Sequence, residues 1–329
     1  MSSAIHRYAN NPILTAADIP YECERCYNPA ATKMGDKYIL LVRVWQKGRI
    51  ESVALATSDD GYRFTVEPEP VLTPDADDKG RFNDPRITEI EGKYYICYCS
   101  DPEEGIKIGL AETTDFRSYR RFYLSEPDNR NAVLFPERIN GLYARLDRPF
   151  SRQYFLDRGY DIWVSYSPDL EFWGRHARVA DHNDIAWASN KIGPGPQPIK
   201  TDKGWLVIYH GAEITDPAST AWAKVYRAGC MLLDLNDPSK VLAMPPAPLF
   251  EPETAYETDP FYRPNVVFPS GAIVEPDGEI KIYYGAADNS IAVATTTIDE
   301  LLDFCLNPKP YSHAAPPPLP TDGLKSRFA

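Results

Sequence analysis

Five stretches of the chain repeat one pattern: a β-rich run, a short polar turn carrying an Asp, and in most copies an aromatic residue four positions later. They read SVALATSDDGYRF (Asp60, Phe64), IKIGLAETTDFRSY (Asp115, Tyr119), DIWVSYSPDLEFW (Asp169, Trp173), AGCMLLDLNDPSKV (Asp237, Val241) and SIAVATTTIDELLDF (Asp299). The Asp-to-Asp steps are 55, 54, 68 and 62 residues. Between them recurs a hairpin turn entering an aromatic strand: GDKYILLV (Tyr38), EGKYYICY (Tyr94), NGLYARL (Tyr143) and DKGWLVIY (Trp205), with PDGEIKIYY (Ile280) as the fifth. Radial repetition produces a period of this size with several short strands per unit, and five units of about 60 residues fill nearly the whole chain. The expected fold is all-β: a five-bladed β-propeller with four-stranded blades over residues 1–306, followed by a Pro-rich C-terminal tail, 307–329.

A ring of blades cannot be divided without exposing sheet edges, so the 329 residues read as one domain. A 43% apolar share, with 31 Pro and 19 Gly, suits a large turn-rich β core. The best helical segment is Ile298–Leu306, with Thr297 as its N-cap. Net charge is −12 with no run of Lys or Arg, which argues against a nucleic-acid partner or an anionic membrane surface. No apolar h-region opens the sequence and no stretch nears 18 apolar residues, so a cytoplasmic protein is expected. The six Cys read as small hydrophobes, and Cys97 and Cys99 have the wrong spacing to join Cys23 and Cys26 in a zinc knuckle, so no metal is expected.

In a propeller the first strand of each blade lines the central channel, and residues at the strand starts converge on the axis. The five starts are YNPAATK, FNDPRITEI, NAVLFPERI, NKIGPGPQPI and NVVFPSGAIV. They bring Asn28, Asp84, Arg86, Arg130, Arg138, Lys191, Asn265 and Ser270, while the second strands add Arg43, Arg148, His210 and Asp288. One carboxylate at a blade start thus stands among many cations, on an acidic protein. Such a gathering costs like-charge repulsion, which an anionic ligand relieves, and phosphate suits guanidinium and ammonium donors. The bland alternative pairs each Arg with a nearby acid, Asp84–Arg86 and Asp147–Arg148 being the local candidates. Asp60, Asp115, Asp169 and Asp237 read as Asx turns. Gly193-Pro194-Gly195-Pro196 lacks the ending of a P-loop and reads as a bend in the channel wall. His176 and His182 lie in a loop that has the cleft rim within its reach.

These motifs resemble glycoside hydrolase family 130, the inverting β-mannoside phosphorylases and their hydrolytic relatives. The matching stretches run from Asn10 to Leu306 and include YNPAATK, FNDPRI, LFPERINGLYARLDRP, KIGPGPQPI, GWLVIYHG and NVVFPSGAIV. Position by position, the resemblance implies Asp84 as proton donor, directly or through a sugar hydroxyl. It implies Asn28, Arg43 and Asp288 as contacts to the mannosyl ring, with Arg86 beside them as a substrate-binding residue. Arg130, Arg148, Lys191 and His210 match the family's phosphate-binding set. Asn83 departs from the usual Glu before the acid, and Arg138 from the usual Lys. The implied reaction is inverting phosphorolysis of a β-mannoside, giving α-mannose 1-phosphate and a shortened sugar. The implied partners are that small-molecule β-mannoside and phosphate, the latter a co-substrate; no cofactor is expected, and a homo-oligomer is compatible.

A hydrolase would need a second carboxylate to activate water, and Glu137 and Glu213 are the candidates. A phosphorylase needs none, because its nucleophile is already an anion. A sugar-binding propeller without catalysis predicts interchangeable sites repeated by blade, whereas here each blade start differs.

Overall fold

The structure is a computed structural model that describes residues 4–74, 81–102, 105–150, 160–216, 218–219 and 222–314. Five antiparallel sheets follow one another along the chain as the blades of a propeller. Blade one holds Arg25–Met34, Lys37–Gln46, Ile50–Ser58 and Thr65–Val66, and blade two Phe82–Ile90, Lys93–Ser100, Lys107–Thr113 and Arg120–Leu124. Blade three holds Asn129–Leu134, Tyr143–Pro149, Ile162–Ser167 and Gly174–Ala180. In blade four a broken first strand, Lys191–Pro194 and Ile199–Lys200, precedes Trp205–Ile214, Lys224–Leu233 and Val241–Ala243. Blade five takes Val267–Val274, Glu279–Ala286 and Ser290–Thr297 from the C-terminal part, and its outer strand, His6–Arg7, from the N-terminal part.

That last pairing closes the ring, with His6 opposite Thr295 and Arg7 opposite Ala294. Arg7 secures it through Nε to the buried Glu257 carboxylate at 2.8 Å and Nη2 to the Glu251 carbonyl at 2.6 Å. Each pair of neighbouring blades packs across its own apolar seam. All six Cys are free thiols. Among the described residues no helix is long and apolar enough to cross a membrane.

The repeated Asp turns form as expected in four blades. Asp60 accepts from the amides of Tyr62 and Arg63, Asp115 from Arg117 and Ser118, and Asp169 from Glu171 and Phe172, all within 3.0 Å. In the fourth, Asp237 accepts from the Ser239 amide at 3.3 Å and hydroxyl at 2.6 Å, and only the fifth copy departs from the expectation. In blade four Asp234 takes the turn amides of Asn236 and Asp237, at the strand end where other blades have Ser58, Thr113 or Ser167. In blade five the turn becomes a helix, Ile298–Leu306, with Asp299 in its first turn and Thr297 and Glu300 forming a capping box. The helix forms as the sequence predicts, and the outer edge of that blade is taken by the N-terminal strand. Of the tail, residues 315–329 with the APPPLP run lie outside the described residues.

Candidate active site

One distortion, repeated three times, builds the centre of the site. The first strands of blades one, two and three each carry a bulge, where Asn28-Pro29, Asp84-Pro85 and Asn131-Ala132 face a single residue of the second strand. Asn28, Asp84 and Asn131 have φ of 50°, 50° and 58°, a left-handed conformation that Asn and Asp tolerate better than other side chains. Pro29 and Pro85 fit because a bulge position need not donate to the ladder. The three polar side chains thereby meet on the channel axis.

Asp84 lies at the middle and is 3% exposed. Its Oδ1 accepts from Asn28 Nδ2 and Arg43 Nη1, both at 2.8 Å. Its Oδ2 accepts from Arg130 Nη2 at 2.7 Å and from Asn131 Nδ2 at 3.5 Å. Burial alone pushes this carboxyl up, but Arg43, Arg130 and Arg86, with the Asn28 bond, reverse that and hold it well below the usual carboxylate range.

Around Asp84 opens a cavity of about 240 Å³. Its walls bring together Asn28, Arg43, Asp84, Arg130, Arg148, Lys191 and Asp288, seven of the nine residues that the sequence singled out. The carboxylates of this wall are both engaged: Asp84 as above, and Asp288 by Arg263 Nη1 at 2.9 Å. Arg148, Lys191 and Lys224 line the same cavity without a carboxylate partner among the described residues. Burial, then Arg148, Lys224, Arg130 and Arg263, pushes Lys191 well below the ordinary lysine value. Burial and then Arg130 push Arg148 down to about 10. Cross-strand register sets Arg130 directly opposite Arg148, a like-charge pair that costs stability.

Two expected contacts stand behind the wall rather than in it. Arg86 is fully buried and spends its guanidinium on backbone: Nε on the Gly195 carbonyl at 2.8 Å, Nη1 on the carbonyls of Pro85 and Asp84 at 2.9 and 3.2 Å. It ties blade two to the broken strand of blade four and does not reach the cavity. His210 is likewise 0% exposed, with Nε2 3.2 Å from Arg148 Nη1. Burial, then Arg148, Arg86 and Lys191, pushes its pKa well below the imidazole value. A guanidinium only donates, so Nε2 accepts and His210 is a neutral ring that aims Arg148, not a fourth cation. Gly193 makes room for that ring, since a Cβ there would lie 2.6 Å from His210 Cε1. The bend expected at Gly193-Pro194-Gly195-Pro196 is present, and a Cβ on Gly195 would lie 2.6 Å from the Ile208 carbonyl.

Other expected partners sit elsewhere. Arg138 is ion-paired with Glu91 at 2.9 Å near the outer hairpin, and Ser270 donates to the Pro29 carbonyl at 2.8 Å. The Asn265 carbonyl accepts from the Tyr226 amide at 2.9 Å. Asp147 pairs with Arg145 rather than Arg148. Glu137 is held by Lys200, Glu213 by Arg227 and His313, and neither lines the cavity. His182 is buried against Asp161 at 2.7 Å, away from the cleft rim, and His176 lines a separate groove beside Trp173.

The sequence reading missed Asn131, Lys224, Arg263 and the aromatic wall of Trp222, Tyr226 and Phe268. Asn131 was legible, because RNAV aligns with YNPA and NDPR once the bulges are matched. Lys224, Tyr226 and Trp222 come from a third strand and the loop entering it, and Arg263 from an interblade loop, whereas Phe268 stands in the blade start NVVFPSGAIV as an apolar residue with no polar signal.

Fold and cavity together describe a five-bladed propeller enzyme with a central buried carboxylate beside an anion-receptive cluster of cations. The chain belongs to glycoside hydrolase family 130: the family model, described as beta-1,4-mannooligosaccharide phosphorylase, matches residues 6–307. It is 34% identical over 311 residues to the beta-1,4-mannooligosaccharide phosphorylase of Ruminococcus albus, covering 90% of this chain and 85% of the relative. A 1,2-beta-oligomannan phosphorylase from Thermoanaerobacter sp. is also 34% identical over 311 residues, covering 90% and 98%. Among solved structures, the beta-1,2-mannobiose phosphorylase of Listeria innocua in complex with beta-1,2-mannobiose superposes with a TM-score of 0.81 at 29% identity, covering 92% of this chain and 99% of that one.

Proposed function

We infer that the protein cleaves β-mannosidic bonds by inverting phosphorolysis, with Asp84 as the acid and Arg130, Arg148, Lys191 and Lys224 receiving phosphate. The observation that carries this division of labour is the group Arg148, Lys191 and Lys224, buried or half-buried cations without a carboxylate partner among the described residues. An oxyanion placed among them relieves their repulsion and gains charge-assisted hydrogen bonds. Asn28, Arg43 and Asp288 stand on the opposite wall, where hydroxyl groups of a mannosyl ring find both donors and acceptors.

In this arrangement hydrogenphosphate attacks the anomeric carbon from the face opposite the leaving group. The C1–O glycosidic bond breaks as a C1–O–P bond forms, and the departing oxygen takes the proton of Asp84. Inversion turns the β-linkage into α-mannose 1-phosphate. Phosphate is the co-substrate, and the reaction balances without a metal or organic cofactor. Hydrolysis would require a carboxylate to activate water, yet Asp288 is engaged by Arg263 and both Glu137 and Glu213 point elsewhere.

The test is a panel of β-1,2- and β-1,4-linked manno-disaccharides and oligosaccharides, and of mannosyl-glucose, assayed with and without phosphate. Release of α-mannose 1-phosphate only when phosphate is present is the expected result. Equal cleavage in phosphate-free buffer would overturn the phosphorylase assignment, and the productive linkage identifies the substrate.

A further inference from the structure

Asp84 cannot serve as an acid in the arrangement described, because its acceptor positions are filled. Two short bonds, from Asn28 and Arg43, occupy Oδ1, while Arg130 at 2.7 Å and the Asn131 amide at 3.5 Å cover Oδ2. A proton on Oδ2 would point at an N–H of a guanidinium, which has no acceptor to offer. One donor must leave before the carboxyl can carry a proton. Arg43 is fixed from its other side by Glu51 at 2.8 Å, and its side chain is 10% exposed. Arg130 is less confined: its side chain is 23% exposed, no carboxylate but Asp84 holds it among the described residues, and its other side-chain contact is a long one to Asn83 Oδ1 at 3.3 Å. It also stands opposite Arg148, so an anion between the two would touch both.

We propose that Arg130 is a two-position gate, which pins Asp84 as a carboxylate in the absence of phosphate and swings to phosphate when it binds, freeing Asp84 to take up the proton it later delivers. The proposal rests on the phosphorolysis reading. The charges bearing on Asp84 are Arg43 from blade one, Arg86 on its own strand, and Arg130 and Arg148 from blade three. Cys99 from blade two and His210 from blade four face it as uncharged groups, the thiol pushed up and the imidazole pushed down. When an anion draws Arg130 away and offsets Arg148, less positive charge opposes the burial of Asp84 and its proton affinity rises, although Arg43 and Arg86 stay in place.

The gate explains how a site with a strong acid avoids spending substrate on water. The acid is armed only when the nucleophile is in place. The proton enters from solvent with phosphate, passes to the glycosidic oxygen, and leaves as the hydroxyl of the shortened sugar. Asp84 returns to a carboxylate and recovers Arg130 when the sugar phosphate departs.

Sulfate tests this, because it holds one charge state through neutral pH. Titration calorimetry of the full chain in buffers of different ionisation enthalpy reports the protons taken up per sulfate. By linkage the expected value approaches about one in the wild type, at a pH between the free and liganded values of Asp84. Asp84→Asn is expected to bind sulfate with that uptake abolished. Arg130→Met is expected to bind more weakly and to lose most of the uptake, since Asp84 is already released. A mere phosphate contact at Arg130 would change affinity and leave uptake per sulfate unaltered. Infrared difference spectra of the wild type on adding sulfate should show a carboxylic-acid C=O band appearing, a readout that needs no variant to fold. Sulfate binding without uptake, or uptake that survives in Asp84→Asn and disappears in Lys191→Met, overturns the gate and leaves phosphorolysis standing. Failure of both sulfate and phosphate to bind overturns the phosphate site itself.

Discussion

Arg43 and Arg148 occupy the same slot in blades one and three, each on the second strand opposite the residue that precedes a bulge. Their surroundings are opposite in charge. Arg43 faces Tyr27, is ion-paired with Glu51 and donates to Asp84, and although burial works against its charge, Glu51, Tyr27 and Asp84 hold its pKa well above the usual value. Arg148 faces another arginine and a neutral histidine, and its pKa falls. The repeat supplies a position from which a guanidinium reaches the axis, and the neighbours that differ between blades decide its work. Where a carboxylate is built in, the arginine supports an acid. Where none is, it stands ready for an anion from outside.

Substituting each wall separately tests that contrast. The largest effect is expected at Asp84 itself. Asp84→Asn should lower kcat by roughly 10²–10⁴ on a natural disaccharide, the range for a lost general acid. An aryl mannoside with a good leaving group should recover much of the rate. Near-normal turnover of the disaccharide would reduce Asp84 to a brace for its bulge.

On the opposite wall, Lys191→Ala should raise the KM for phosphate about ten- to a hundredfold, the loss of one charge-assisted hydrogen bond of about 1.5–3 kcal/mol. The KM for the mannoside should hardly move. A weakened sugar with unchanged phosphate dependence would exchange the roles of the two walls.

Stability should respond with opposite signs. Lys191→Met removes a cation that lacks a carboxylate partner, so the melting temperature should rise even as phosphate binding fails. Asp84→Asn leaves Arg43 and Arg130 facing a neutral amide, and the melting temperature should fall. Its pH dependence follows from the depressed pKa of Asp84. The ionised form contributes stability above the unfolded value of about 3.9, and the contribution is lost as pH falls through the lower folded value. Melting curves of Asp84→Asn should therefore show a shallower loss below about pH 4 than the wild type, and those of Lys191→Met should not.

The smallest effects belong to the residues behind the wall. His210→Ala and Gly193→Ala, the latter pressing on His210 and on Arg148 Nη1 at 3.2 Å, should each raise the phosphate KM several-fold with the sugar KM unchanged. Because His210 is neutral, wild-type binding of sulfate, which keeps one charge state there, should show no titration at the ordinary imidazole value. A loss at His210→Ala as large as that at Lys191→Ala would restore His210 as a direct ligand.

The strand-turn repeat by itself determined the blade count, since turn chemistry and strand-forming runs are local properties. It also determined which residue types reach the axis, for Asn28, Asp84 and Lys191 sit at blade starts whose positions follow from the period. The capping residues Thr297 and Glu300 likewise made the terminal helix legible. Only the tertiary structure decided who faces whom. Arg86 and His210 share the period of true cavity residues, yet both turn to partners in other blades and leave the wall. Lys224, at the start of a third strand, and Arg263, in an interblade loop, reach the cavity from positions other than the blade starts. The closing strand His6–Arg7 joins the opposite end of the chain, a pairing that no local signal carries. Charge is decided the same way: whether an arginine supports Asp84 or receives an anion depends on carboxylates brought within about 3 Å by the ring closure, where the low dielectric makes each neighbour count.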